Sequence, residues 1–282
     1  MLLKNIFTAV LVGVLVMGCE KSPFNGDISN PLNQEIRGRV ALSDAGSPEG
    51  IYVWMEDTPL STTTNAAGEF VIALPPVASN SSVYANRVFN LYFYVANYKL
   101  SSAAVTVVNG EFLYAHGEVN PHGELIGTRF MAKLLNINTE IDPQVVLSNY
   151  SDYINVVVTL SAVSDSVEVV FPKLIGGELG AILFRNLESG RIFTDAPEIN
   201  AGVRLVKKIG KEPETFSFSF DLKRGNLPIG RYEVIPYFLI EQARMPQGLL
   251  TSISQKAQEV GPDFLKIPFR RAGGQFAIRE IE

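Results

Sequence analysis

Residues 61–76, STTTNAAGEFVIALPP, decide the fold. The β-branched Thr62, Thr63 and Thr64 favour extended backbone. They run into Asn65-Ala66-Ala67-Gly68, where an asparagine side chain can brace a turn and a glycine can adopt the left-handed conformation. The chain leaves again with Phe70 and Ile72 on one face, so the expectation is two strands joined by a bulged hairpin loop. Upstream, Ile36, Gly38, Val40 and Leu42 alternate at period two, residues 44–50 (DAGSPEG) form a turn, and Ile51 to Met55 is a second strand. Downstream, Phe89, Leu91, Phe93 and Val95 share one face of another strand.

This arrangement resembles the carboxypeptidase regulatory-like domain, a transthyretin-like β-sandwich. The resemblance is carried by Gly38 and Val40, Gly46 and Pro48, Gly50, Ile51 and Val53, and then Thr62, Thr64, Asn65, Gly68, Phe70 and Ile72. It continues through residues 91–95 and Asn97-Tyr98-Lys99 to Ala104-Val105-Thr106-Val107, covering roughly residues 35–119. Two features depart from the pattern: Asn97 stands where the family usually has glycine, and the connection 75–87 is longer than usual. The family's domain is generally non-catalytic, so the resemblance implies scaffolding or docking.

Residues 120–150 lose the period and are expected to connect two domains, with a boundary near Asp142-Pro143. From 151 onward the alternation returns. Ile154, Val156, Val158 and Leu160 form one set; Phe216, Phe218, Phe220 and Leu222 alternate with Ser217, Ser219 and Asp221 in another. A turn at 226–231 precedes Tyr232, Val234, Pro236, Phe238 and Ile240. Its L-P-x-G-x-Y element resembles strand entry in immunoglobulin-like domains. Such half-buried strands separated by turns predict a second sandwich over 151–282. Residues 249–260 are the best helix candidate, and residues 276–281 are expected to close the chain as an edge strand. The predicted class is therefore all-β, with two β-sandwich domains, transthyretin-like and then immunoglobulin-like.

The N-terminus says where such a protein would sit. Lys4 precedes an apolar and small-residue run from Ile6 to Val16, too short to span a bilayer but right for the core of an export signal. It ends in Val16-Met17-Gly18-Cys19, which resembles the lipobox of bacterial lipoproteins. The resemblance implies cleavage before Cys19, lipidation of that cysteine and membrane anchorage through the acyl chains. Residues 1–18 would be signal peptide, and 19–34, rich in Ser, Asn, Gly and Pro, a lipidated tether. Glu20 after the cysteine is compatible with delivery to the outer membrane. Cys19 is the only cysteine, so the domains must be held by burial alone, which a chain of 282 residues at 46% hydrophobic content can supply. The formal charge of -5 repels phosphate backbones, and no nucleic-acid partner is expected.

A search for chemistry finds little. There is no HExxH, no GxSxG and no phosphate-binding glycine loop; Gly176-Gly177-Glu178-Leu179-Gly180 reads as a turn between strands. His116 and His122 could join Glu118 or Glu124 around a metal, but two solvent-facing turn histidines is the simpler reading. Asp44, Glu49, Asp57 and Glu69 lie near loops without the spacing of a calcium site. Neither an enzyme nor a cofactor or metal is expected. The expected function is that of an envelope lipoprotein serving as a scaffold or binding module for other envelope components. The alternative is a carbohydrate-binding lipoprotein of a glycan-capture system. For either, the candidate surface is Tyr92 and Tyr94, which share the outer face of the strand whose inner face carries Phe89, Leu91, Phe93 and Val95. The competing reading is that these rings are covered, by the 75–87 loop or by the second domain.

Overall fold

The computed structural model describes residues 33–76, 82–84, 86–172, 174–175, 178–196 and 204–281. The expected signal, Cys19, most of the tether and the Gly176-Gly177 turn lie outside them. The described residues are almost entirely strand and turn, as the alternation requires. They form one compact unit from Asn33 onward that contains two sandwiches with separate cores.

The first sandwich holds β1 (Glu35–Leu42), β2 (Tyr52–Met55), β3 (Ser61–Thr63), β4 (Glu69–Ala73), β5 (Arg87–Tyr94), β6 (Ser101–Val108), β7 (Glu111–Phe112) and β8 (Arg129–Met131). One sheet has the order β4-β1-β8 and the other β3-β2-β5-β6-β7. The inward sets, Ile36 and Val40, Phe70 and Ile72, Phe89, Leu91 and Phe93, meet between them, each at most 3% exposed. These are the faces that period two assigns.

The Asn65–Gly68 turn forms as expected, but it joins strands of opposite sheets and not a hairpin. Asn65 Oδ1 accepts hydrogen bonds from the backbone N–H groups of Ala67 (3.0 Å) and Glu69 (2.9 Å). Gly68 has φ +79°, and its carbonyl accepts from Val40 N–H at 2.8 Å. A Cβ there would stand 2.1 Å from the Val40 carbonyl oxygen, so this close crossing onto β1 requires glycine. The same device recurs at Asn120-Pro121-His122-Gly123-Glu124. Asn120 Oδ1 accepts from His122 and Glu124 N–H groups at 2.8 and 2.9 Å, Gly123 has φ +77°, and a Cβ would meet the Tyr114 ring at 2.4 Å. The two turns deliver their chains to opposite edges of β1, β4 antiparallel and the 123–131 segment parallel to it.

The second sandwich holds β9 (Leu135–Asp142), β10 (Val145–Leu147), β11 (Ile154–Ala162), β12 (Val167–Phe171), β13 (Leu174–Ile175), β14 (Glu178–Leu179) and β15 (Ile182–Asn186). It continues with β16 (Ile192–Asp195), β17 (Leu205–Ile209), β18 (Glu214–Phe220), β19 (Gly230–Pro236), β20 (Leu239–Glu241), β21 (Ala272–Gly273) and β22 (Gln275–Arg279). The sheets β13-β14-β18-β11-β9-β21 and β10-β22-β19-β15-β16 enclose the core, and β17-β12-β20 closes one side. Phe184, Phe220 and Phe276 meet at its centre in tilted and edge-to-face contacts, with ring centroids 4.7 to 6.2 Å apart. At the L-P-x-G-x-Y element the Tyr232 hydroxyl donates to the Pro228 carbonyl at 2.6 Å, tying the start of β19 to its own turn.

Three expectations are corrected here. Residues 120–150 are not a connector: 123–131 complete a sheet of the first sandwich, and β9 opens the second at Leu135, so the chain passes between them at 132–134. The last strand is not an edge, because β10 pairs with it in parallel on the side away from β19. Of the helix expected over 249–260, only α2 (Leu249–Ile253) forms. It starts at Gly248 without a side-chain cap and stops at an extended Ser254. The other α-helical turn, α1 (Leu222–Gly225), is capped by Asp221, whose Oδ1 accepts from Arg224 N–H at 2.7 Å.

Candidate functional site

The tyrosines predicted as an outer surface lie on the outer face of the larger sheet of the first sandwich, as the alternation demands, but most of that face is not open. Tyr94 is only 2% exposed, and burial pushes its phenol far above the ordinary value. With Tyr52, Trp54 and Ala96 it packs against Ala181, Leu183, Ile235 and Tyr237 of the second sandwich, with Leu249, Phe264 and Ile267 filling between. Tyr52 donates to the Ser252 hydroxyl at 3.1 Å, and Trp54 Nε1 donates to the Thr58 carbonyl at 2.9 Å. Tyr92, half-buried, stacks on Trp54 at 6.2 Å and ends the covered zone; Asn90 and Val88, farther along the strand, are exposed. Tyr94 is therefore withdrawn as a ligand-binding residue. The aromatic platform is occupied by the second half of the same chain.

Polar groups complete the junction. Asn97, fully buried, donates through Nδ2 to the carbonyls of Leu135 (3.0 Å) and Arg270 (2.9 Å) and accepts from Arg270 N–H at 2.9 Å. Gln242 donates to the carbonyls of Ala96 and Tyr98 at 3.0 and 2.8 Å and accepts from Leu100 N–H at 2.8 Å. The Arg270 guanidinium reaches the carbonyls of Ser47 and Glu49. The Asn97 amide thus satisfies backbone groups on two segments of the other sandwich.

The histidines are turn residues. Both are exposed; Glu118 is engaged by Arg129 Nη2 and Ala104 N–H, both at 2.6 Å, and Glu124 by Asn120 Nδ2 at 3.0 Å. Among the described residues no three His, Cys, Asp or Glu side chains come together to hold a metal.

Two concave surfaces formed by described residues bear on a binding role. A groove of about 450 Å³ runs along β1, lined by Arg37, Arg39, Glu69, Val71, Glu124 and Thr128. Its charges are already used: Arg37 pairs with Glu35, Arg39 donates to the Ala67 carbonyl, and Asn65 and Asn120 hold the two glutamates.

The second, about 510 Å³, is bordered by the loop entering β11 and by α1, and is lined by Tyr150, Ser151, Tyr153, Asp221, Lys223 and Arg224, with Leu222 beneath. β11 and β18 place it. Their register brings Ile154 opposite Phe220, so the residues just before one strand and just after the other converge. Arg224 is immobilised by Asp195, only 4% exposed, through Nε (2.8 Å) and Nη2 (2.7 Å), and by the Ser219 carbonyl at 2.9 Å. Tyr150 is half-buried and packs on the core, whereas Tyr153 is 56% exposed. Exposed Leu147 ends β10, just before the first of these loops, and exposed Ile229 lies in the loop after α1. Sequence reading missed this cleft because Tyr150 lies in the stretch taken as a connector and Tyr153 just beyond it. The readable signal was Asp221 leading Leu-Lys-Arg-Gly-Asn, an N-cap and a short helical turn at a strand end.

No family model and no curated protein matches the chain. Among solved structures, the Bacillus anthracis TIE protein aligns at 9% identity and TM-score 0.23, over 89% of this chain and 34% of that one. A variant of BcpA, the major pilin subunit of Bacillus cereus, aligns at 12% identity and TM-score 0.25, over 76% of this chain and 60% of that one. The chain thus spans about a third of the first and three-fifths of the second, and likeness at these TM-scores bears neither on its fold nor on its activity.

Proposed function

We propose that the protein is a lipid-anchored envelope component whose two sandwiches act as one stiff, non-catalytic unit that presents a binding end to another envelope component. The lipobox-like tetrad ending at Cys19 supports the anchor, and the residue after it is compatible with the outer membrane. The observation that carries the reading is where the two ends of this unit fall relative to the junction. The described chain enters at Asn33, whose carbonyl accepts from Phe112 N–H at 2.7 Å, at the end of β1 away from Ser47 and Glu49, which the Arg270 guanidinium reaches across the junction. The tyrosine-bordered cleft lies at the start of β11. Leu135, the junction residue bound by Asn97, pairs with the other end of that strand, about 25 Å away at ~3.3 Å per residue. Buried polar groups and an aromatic layer between the sandwiches oppose bending at the junction.

Site-specific photo-crosslinking in cells tests this. A photoreactive side chain at Ile229, exposed in the loop between α1 and β19, should capture a stoichiometric envelope partner. The same group at Val163, exposed near the junction, should not. Equal capture at both positions, or none at Ile229, would reject a partner-binding end. The second reading, capture of a glycan, is favoured by the paired tyrosines of the cleft.

A further inference from the structure

The cleft has a chemistry narrow enough to name a ligand class, in an inference that rests on the glycan-capture reading and deepens it. We infer that the cleft between the β11 entry loop and α1 binds neutral oligosaccharide. Its volume, about 510 Å³, lies within the few hundred to a thousand Å³ typical of small-molecule sites. Two tyrosine rings border it, one fixed by packing on the core and one open to solvent. Each offers an apolar face on which the C–H face of a sugar ring can lie and a hydroxyl that donates and accepts.

The remaining lining supplies hydrogen bonds of both signs. Asp221 uses Oδ1 for the α1 cap and has a second carboxylate oxygen; Lys223 makes no ion pair among the described residues. Arg224 is held in place by Asp195 before any ligand arrives, so no side-chain freedom is lost there on binding. The charges decide between sugar classes. Asp221 opposes Lys223 and Asp195 neutralises Arg224, so these four charges cancel, and Asp152, exposed in the loop between Ser151 and Tyr153, adds one carboxylate that disfavours an acidic ligand. An anionic sugar would meet the Asp221 carboxylate and a cationic one Lys223. The groove along β1 offers less, because Glu35 and the Ala67 carbonyl hold its arginines and the amides of Asn65 and Asn120 engage its glutamates.

The full chain should be titrated by calorimetry and saturation-transfer NMR with neutral trisaccharides (maltotriose, cellotriose, xylotriose and chitotriose), and with trigalacturonate and a chitosan trimer as charged comparisons. At least one neutral trisaccharide should bind with a dissociation constant of about 1 mM or tighter. Tyr153→Ala and Lys223→Ala should each weaken that binding, the first tenfold or more, with the melting temperature unchanged because both side chains are exposed. The inference is overturned by no neutral binding up to about 10 mM, by binding indifferent to both variants, or by binding of the charged sugars alone. Crosslinking from Ile229 that persists alongside such a failure would leave the binding-module reading standing. Loss of both would remove both.

Discussion

Asn97→Ala removes the side chain on which the junction depends most. Its amide makes three hydrogen bonds across the sandwiches, two to the Leu135 and Arg270 carbonyls and one from Arg270 N–H, at a site with no solvent exposure. Each such bond contributes about 0.5 to 1.5 kcal/mol net, and leaving a buried N–H without an acceptor costs about 1 to 3 kcal/mol more. Allowing for overlap between these terms, the expected loss is about 3 to 5 kcal/mol. Asn90→Ala is the control: Asn90 is exposed, its amide bonds Glu56 at 2.7 Å on the surface, and the loss should stay within about 0.5 kcal/mol. Urea unfolding should be followed by two probes at once. Trp54, the sole tryptophan and only 3% exposed, reports the junction, and far-ultraviolet circular dichroism reports all strands. The two transitions should coincide in the natural protein. In Asn97→Ala the Trp54 transition should move to lower urea and separate from the other. Coincident transitions at an unchanged midpoint would refute the reasoning, since the junction amide would then contribute nothing.

Three further outcomes are expected. Gly68→Ala should cost about 2 to 4 kcal/mol, whereas Gly50→Ala should cost about 1, because both glycines have positive φ but only at Gly68 would the new Cβ meet a carbonyl oxygen; equal melting temperatures would contradict this. Asp44 and Glu118 both have carboxyls held below their ordinary values. Burial works against this in each case, but the Tyr98 hydroxyl, Lys133 and Gly46 N–H outweigh it at Asp44, and Ala104 N–H and Arg129 outweigh it at Glu118. A lowered folded pKa means stabilisation that is complete above the unfolded values of 3.8 and 4.5 and is lost as pH falls below them; Asp44→Asn should therefore flatten the fall in melting temperature between about pH 5 and pH 3. Cys19→Ser should leave the sandwiches folded while moving the protein from the membrane fraction to the soluble one, and unchanged detergent partitioning would count against the lipid anchor.

Much of the fold was legible because period two fixes which side of a strand each residue faces. Phe89, Leu91 and Phe93, and likewise Ile154, Val156 and Val158, were assignable to cores from alternation alone. The Asn65 and Gly68 turn was readable because a left-handed position beside a bracing asparagine has few other uses. What alternation cannot say is what covers the outward side. Tyr92 and Tyr94 were correctly placed facing out, yet the cover over Tyr94 comes from residues more than eighty positions later, and no local pattern encodes it. The same limit applies to β22. Its parallel partner β10 lies 130 residues earlier and is three residues long, so nothing near the C-terminus marks that strand as interior. The cleft was illegible for a third reason: its residues come from two loops whose meeting depends on the β11 and β18 register.

The proposed orientation puts chain entry toward the membrane and the tyrosine cleft away from it, with a stiff junction between. With Cys19 lipidated, a single added cysteine can carry a donor dye on protein reconstituted into vesicles containing acceptor lipid. Leu113→Cys marks the entry end, near Asn33, and Ser151→Cys marks the cleft; both positions are exposed. Energy transfer should be strong from position 113 and markedly weaker from position 151. Equal transfer from the two positions, or stronger transfer from 151, would contradict that orientation.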